Sequence, residues 1–294
     1  MEQRALGHSG LTVSALGLGT LGLGGAQVME ADFARTLHQA IDQGVTLIDT
    51  ARSYGFAEQR LGRHLGARRE QVVLCTKGGY GVEGVPDWTT EAVSLGIHRA
   101  LRQLRTDRLD LFLLHSCPLD VLQDEEVLAV LASAKAAGKI RVAGYAGEGE
   151  ALAWAIDSGH FGTVECSVNL VDRRNLNTLI PRAVARGVGV LAKRPLCSGA
   201  LNHDLAPSAS DVAIYWGRLQ RLELPDDPAL PRDALALRFA AHAKGVTSAL
   251  AGCRSSLHLQ RNLDAVEAGP LDAARLATLE QAYAGVGADW DGII

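Results

Sequence analysis

Short runs of β-branched residues and leucine alternate with longer amphipathic stretches along this 294-residue chain, and the alternation completes eight cycles. Such a rhythm specifies βα units, because segregated helices and strands would group the two patterns instead of interleaving them. The predicted strands are Ala15 to Gly19, Thr46 to Asp49, Val72 to Lys77, Leu109 to His115, Ile140 to Gly144, Val164 to Val168, Val188 to Lys193 and Thr247 to Ala251. Most are continuous apolar runs, as strands covered on both faces must be. Eight parallel strands with eight crossovers close into a (β/α)₈ barrel, an α/β fold that accommodates 294 residues as one domain spanning residues 1–294.

Between the strands, residues 91–105 give the clearest helix, with Val93, Ile97, Ala100, Leu101 and Leu104 on one face and Thr89 or Thr90 available as its cap. Residues 4–14 place two short extended pieces around Ser9-Gly10, which predicts a hairpin plugging the barrel floor. The segment 202–232 breaks the rhythm with four prolines and little sustained period, and is predicted to be a lid or substrate loop.

Composition narrows the function classes. Hydrophobic residues make up 47% and charged residues 21%, enough for a large core and too apolar for disorder. Lys and Arg number 29 against 33 Asp and Glu, so no net positive field argues for a nucleic-acid partner. The five cysteines, Cys75, Cys117, Cys166, Cys197 and Cys253, are widely spaced without a C-x-x-C pair, as expected of reduced thiols in a cytoplasmic protein. No basic start followed by an apolar stretch suggests secretion, and no run of about 18 uncharged apolar residues suggests a membrane span.

In a (β/α)₈ barrel the informative positions are polar residues at the C-terminal ends of strands. Asp49, Lys77 and His115 each close a strand, and Tyr54 follows Asp49 closely enough for its loop to reach the same mouth. Any one of these reads equally well as a strand cap, whereas four together are a proton-handling set. An ammonium beside a phenol is expected to lower its pKa, a carboxylate behind the ammonium keeps it charged, and a histidine can polarise a carbonyl oxygen.

The residues around these positions resemble the aldo-keto reductase family over nearly the whole chain. Ala5-Leu-Gly and Val13-Ser-Ala-Leu-Gly-Leu-Gly-Thr20 are similar to the family's opening, and Asp49-Thr-Ala-Arg-Ser-Tyr-Gly55 with Glu58 and Leu61-Gly-Arg63 to its Asp/Tyr motif. Thr76-Lys77 sits where the family's lysine belongs, and Ser94 to His115 resembles the stretch ending in its catalytic histidine. The resemblance implies Asp49, Tyr54, Lys77 and His115 as catalytic residues. It implies NADPH/NADP⁺ as cofactor, and interconversion of an aldehyde or ketone with its alcohol, Tyr54 supplying the proton.

The resemblance also assigns a cofactor site. Gly252, Arg254, Ser255, His258 and Asn262 follow the eighth strand and resemble the segment that grips the adenosine phosphate; the loops after strands 7 and 8 are the general phosphate region of this barrel, and Arg254 can fork onto a phosphate. Gly19, Thr20 and Leu21, together with Glu165 and the run Arg194, Pro195, Leu196, are implied at the other end. There the pattern departs from the family: Ala146-Gly147 replaces Ser-Asn, Glu165 replaces Gln, and the run after the seventh strand lacks an aromatic ring, so that Arg194 is left to stack through its planar guanidinium. Glu165 reads alternatively as an ion-pair partner of Lys193 or Arg194. Asn169 reads as a structural or pocket-lining amide, Cys117 as a small buried residue, and Trp88 and Trp290 as pocket walls or ordinary packing.

Two further readings stay open. The altered nicotinamide end is compatible with a redox-neutral lyase or isomerase using Tyr54, Lys77, His115 and Glu165, and a silent nucleotide-sensing subunit is the third class. Gly17-Leu-Gly-Thr-Leu-Gly22 fits G-x-G-x-x-G, yet no helix pattern opens directly after it, which argues against a Rossmann site. A small-molecule substrate is the expected partner, and the sequence is silent on oligomeric state.

Overall fold

The computed structural model describes residues 1–208, 210–224, 227–287 and 290–293. Two antiparallel strands open the chain, β1 (Gln3–Ala5) and β2 (Thr12–Ser14), paired with Arg4 opposite Val13. Leu6, Leu11 and Val13 pack with Leu47, Val73, Leu111, Val142 and Leu191 from inside the barrel, so the hairpin closes its floor as the sequence predicts.

Eight parallel strands follow: β3 (Leu16–Gly19), β4 (Leu47–Asp49), β5 (Val73–Gly78), β6 (Leu109–His115), β7 (Ile140–Ala146), β8 (Thr163–Ser167), β9 (Gly189–Lys193) and β10 (Ser248–Gly252). They close in the order β10-β3-β4-β5-β6-β7-β8-β9. Alternate residues of each strand face inward. The inward set changes from Leu, Val and Cys at the floor to Asp49, Lys77, His115, Glu165 and Lys193 toward the C-terminal end. That change is what makes a mouth.

The outer helices bury one stripe each. Helix Thr90–Leu104 lays Val93, Ile97, Ala100 and Leu104 on the barrel, and Thr89 caps it by accepting the Ala92 N–H at 3.2 Å. No helix among the described residues is long and apolar enough to cross a membrane. All five cysteines are free and buried.

The segment 202–232 is not the irregular loop its prolines suggested. Helix Ser210–Leu222 runs through it and carries Val212, Tyr215, Trp216, Leu219 and Leu222 on one side, at helical spacing, into a second apolar cluster. That cluster includes Leu170, Val171, Cys197, Leu230, Leu279 and Trp290, so the helix is packed onto the barrel rim by burial. Ala209, Pro225 and Asp226 of this segment, and Ala288, Asp289 and Ile294 of the tail, lie outside the described residues.

Candidate active site

Strand register stacks the mouth. Gly19 pairs with Asp49 and Asp49 with Cys75, while His115 pairs with Ala146 and Ala146 with Glu165. Lys77, two residues beyond Cys75 on the same inward face, reaches across this ring. Its ammonium donates to both Asp49 carboxylate oxygens at 2.5 and 2.7 Å and to the Thr50 carbonyl at 3.3 Å. It lies 3.5 Å from the Tyr54 hydroxyl and 3.2 Å from Glu165 Oε2, where the charge contact forms without a hydrogen bond. His115 closes the group with its ring edge-on to Tyr54, centroids 6.3 Å apart.

Local packing fixes these positions. Arg60, buried on helix Ala57–His64, donates to the carbonyls of Leu23, Gly25 and Val28, and so holds the loop after β3 against the loop carrying Tyr54. Gly24 sits so close to that loop that a Cβ on it would lie 1.8 Å from the Tyr54 carbonyl oxygen, which leaves room for glycine alone. Glu58 is buried between Thr76 Oγ1 and the Arg99 guanidinium, each at 2.8 Å, and steadies β5 one residue before Lys77.

The electrostatics follow from two carboxylates around one ammonium out of water. Burial pushes the Asp49 carboxyl up to about 7 against the pull of Lys77, with Glu165 adding to the rise. Burial opposes the charge on Lys77, but Asp49 and Glu165 outweigh it and hold the lysine well above its usual value. Tyr54 departs from the sequence expectation: burial and the two carboxylates outweigh Lys77, and its phenol is raised rather than lowered. It therefore keeps its proton at neutral pH. Burial first, then Lys77, Lys193 and Arg194, bring His115 down to about 3, so the imidazole is neutral.

Glu165 pairs with Lys77 and not, as one sequence reading had it, with Lys193 or Arg194. Lys193 faces Glu148 at 3.4 Å, and Arg194 donates to the Ile293 carbonyl at 2.6 Å, its guanidinium 6.0 Å from the Tyr215 ring. Glu148 also accepts from Ser167 N–H and Asn175 Nδ2, both at 2.7 Å. Pro195 and Leu196 continue the turn after β9, Pro195 buried. The departure at Gly147 has a steric cause: a Cβ there would meet the Tyr145 hydroxyl at 2.3 Å, so the Tyr145 ring fills the space of a larger residue. Three buried polar atoms on alternate residues of β8 and its continuation, Glu165 Oε2, Ser167 Oγ and Asn169 Nδ2, make no hydrogen bond, although the Tyr215 hydroxyl lies beside Ser167.

At the opposite side of the mouth, Thr20 is buried and donates from its hydroxyl to the Asp49 carbonyl at 2.9 Å, and Leu21 is exposed in the turn Leu21–Leu23. That turn, in place of a long helix after Gly17 to Gly22, removes the Rossmann reading. Ser255 caps helix Ser256–Glu267 by accepting the His258 N–H at 3.3 Å, and Asn262 donates toward the Gly252 carbonyl at 3.5 Å. Arg254 and His258 are exposed there, and among the described residues the Arg254 side chain makes no ion pair or hydrogen bond. Trp88 packs on Tyr80 beside His115, whereas Trp290 is buried between Arg218, Arg221 and Tyr283. Sequence reasoning missed Tyr80, whose hydroxyl contacts His115; its signal was only a tyrosine among glycines just after Lys77.

A closed eight-stranded barrel with ionisable groups gathered at the C-terminal ends of its strands defines a class of barrel proteins whose chemistry is done at that mouth. This chain belongs to the aldo/keto reductase family, whose sequence model matches residues 15–284. It is 30% identical over 290 residues to L-galactose dehydrogenase of Arabidopsis thaliana, covering 90% of this chain and 88% of that one. It is 28% identical over 244 residues to the NADH-specific methylglyoxal reductase of Escherichia coli, covering 74% and 75%. Among solved structures, the holo form of an aldo-keto reductase from Bacillus halodurans superposes with a TM-score of 0.83 at 28% identity, covering 96% of each chain.

Proposed function

We propose that this protein is an NADPH-dependent reductase that interconverts a small aldehyde or ketone with its alcohol, working as a cytoplasmic enzyme with Tyr54 as general acid. The observation that carries the reading is the buried contact of Lys77 with Asp49 and Tyr54, which holds a protonated phenol beside a fixed positive charge.

The chain's own groups fit a nicotinamide cofactor at both ends. A carboxamide offers two donors and one acceptor, and Glu165 Oε2, Ser167 Oγ and Asn169 Nδ2, none of which makes a hydrogen bond, would supply the complementary set. This set would replace the Ser-Asn-Gln grip missing from Ala146, Gly147 and Glu165. Gly19, Thr20, Leu21, Arg194, Pro195 and Leu196 would form the surrounding wall. At the other end, Gly252, Arg254, Ser255, His258 and Asn262 surround a helix N-terminus, where free N–H groups and an uncommitted guanidinium favour a phosphate. Reduced nicotinamide supplies a hydride to a carbonyl carbon.

Tyr54 holds its proton until negative charge develops on the substrate oxygen, and an alkoxide is basic enough to take it from a phenol of raised pKa. Lys77, kept charged by Asp49, then stabilises the phenolate that remains. Neutral His115 can share a hydrogen bond with the same oxygen without adding a second buried charge. The preference for NADPH over NADH rests on Arg254, and the E. coli relative's name shows that NADH use occurs nearby in the family.

The test is a fluorescence titration of the protein with NADPH, NADP⁺ and NADH. Micromolar NADPH binding, weakened at least tenfold by Arg254→Ala, a loss of about 1.4 kcal/mol, is expected. Folded protein that binds none of the three would end the redox reading and favour cofactor-free acid-base chemistry at Tyr54, Lys77 and Glu165.

A further inference from the structure

Tyr80 has no role in the scheme above, yet its surroundings are built around it. It follows Lys77 by three residues on the loop leaving β5, and its hydroxyl oxygen lies 3.0 Å from His115 Nδ1 and 2.8 Å from Ser53 Oγ. Its ring stands 5.7 Å from the His115 ring and 5.4 Å from Trp88. The Trp88 backbone, at a positive φ of 67°, is fixed in turn by its amide N–H, which donates to the Gly79 carbonyl at 2.7 Å. The Gly81 N–H donates to Asp87 Oδ1 at 2.6 Å and closes the loop. A strained, internally bonded loop thus holds one phenol against one nitrogen of one imidazole.

We propose that Tyr80 is a positioning residue that fixes His115 as its Nε2–H tautomer and so makes it a hydrogen-bond donor to the substrate oxygen; this rests on the carbonyl-reductase reading. A neutral imidazole carries one N–H and one lone pair, and the bond made at one nitrogen decides what the other presents. Tyr80 has a single proton and two neighbours. Both hydroxyl protons can rotate; the imidazole nitrogen is the stronger acceptor and the phenol the more acidic hydroxyl, so the Tyr80 proton turns from Ser53 Oγ to Nδ1 and the Ser53 hydroxyl donates to the Tyr80 oxygen. Nε2 is left carrying hydrogen. In the opposite arrangement Nδ1–H would donate to Tyr80, Tyr80 to Ser53, and the Nε2 lone pair would face the lone pairs of a carbonyl oxygen. The chosen chain is therefore matched to a carbonyl or an alkoxide, and Tyr54 is the group that delivers the proton.

The test is long-range proton–nitrogen correlation NMR on histidine-labelled protein, with His115 assigned by its loss in His115→Gln. The expected wild-type spectrum shows His115 protonated at Nε2 and bare at Nδ1. In Tyr80→Phe, which keeps the ring against Trp88, the two tautomers should mix, and kcat for carbonyl reduction should fall about tenfold while the NADPH Kd stays unchanged. A wild-type His115 protonated at Nδ1, or a Tyr80→Phe spectrum identical to wild type, would overturn the proposal. The wild-type spectrum decides even if the variant fails to fold. Because it needs neither cofactor nor substrate, an Nε2–H histidine in a protein that reduces nothing would refute the reductase reading and leave the positioning role standing.

Discussion

Replacing Lys77 by Met removes the single positive charge that two buried carboxylates share. Lys77 stands 2.5 Å from Asp49 and 3.2 Å from Glu165, and all three side chains are buried. At an effective dielectric of about 20, each contact carries roughly 5–7 kcal/mol of attraction before desolvation is subtracted. What an experiment reads is the cost of leaving carboxylates buried without a partner, about 3–5 kcal/mol. The cost must depend on pH. The Asp49 carboxyl is already raised to about 7 in the intact protein, so between its ordinary value and that point the native state binds the extra proton. A carboxyl raised on folding favours the native state at low pH and loses that advantage as pH rises through the folded value. Urea unfolding followed by circular dichroism should therefore show a deficit of about 3–5 kcal/mol for Lys77→Met at pH 8, shrinking by roughly half at pH 5. Adding Asp49→Asn should recover part of it. A pH 8 deficit under about 1 kcal/mol, or one equal at both pH values, would refute the buried-charge argument.

Other consequences are sharper on activity. Tyr54→Phe should lower carbonyl reduction by about 10²–10⁴-fold, the usual worth of a positioned proton donor, with NADPH binding unchanged by fluorescence titration. Gly24→Ala should drive a methyl into the Tyr54 carbonyl and cost about 1–3 kcal/mol in urea unfolding, with kcat falling alongside. His115 binds fewer protons in the native state than in the unfolded chain between about 3 and its ordinary 6.5, so its contribution to stability is lost as pH falls through that window. His115→Phe should flatten the acid limb of stability against pH by up to about 1.4 kcal/mol per pH unit.

The barrel was legible because strands covered on both faces must be continuous apolar runs, and Leu109–His115 begins and ends where the sequence predicts. Ile140–Ala146 runs two residues further than predicted, because Tyr145 and Ala146 continue the pairing with Leu114 and His115. The ionisable members of the site were legible by their place at strand ends. Their mutual effects were not. That Glu165 would meet Lys77 depends on barrel closure, and that Tyr54 would rise in pKa depends on how far burial outweighs a neighbouring charge, neither of which spacing encodes. Tyr80 was hidden for the same reason, since its partner His115 lies on the next strand. Helix Ser210–Leu222 was obscured by the flanking prolines Pro207, Pro225, Pro228 and Pro231, although Val212, Tyr215, Leu219 and Leu222 carry the helical period between them.

The central claim is that this mouth joins hydride delivery to proton donation from Tyr54. Its most direct test is to offer the protein NADPH deuterated at the transferring carbon of the nicotinamide, with a panel of small aldehydes and ketones, and to look for deuterium on the alcohol carbon. One deuterium on the carbinol carbon with wild type, appearing about 10²–10⁴-fold more slowly with Tyr54→Phe, is the predicted result. Bound NADPH with no transfer to any carbonyl of the panel, or transfer at the wild-type rate without the Tyr54 hydroxyl, would contradict it.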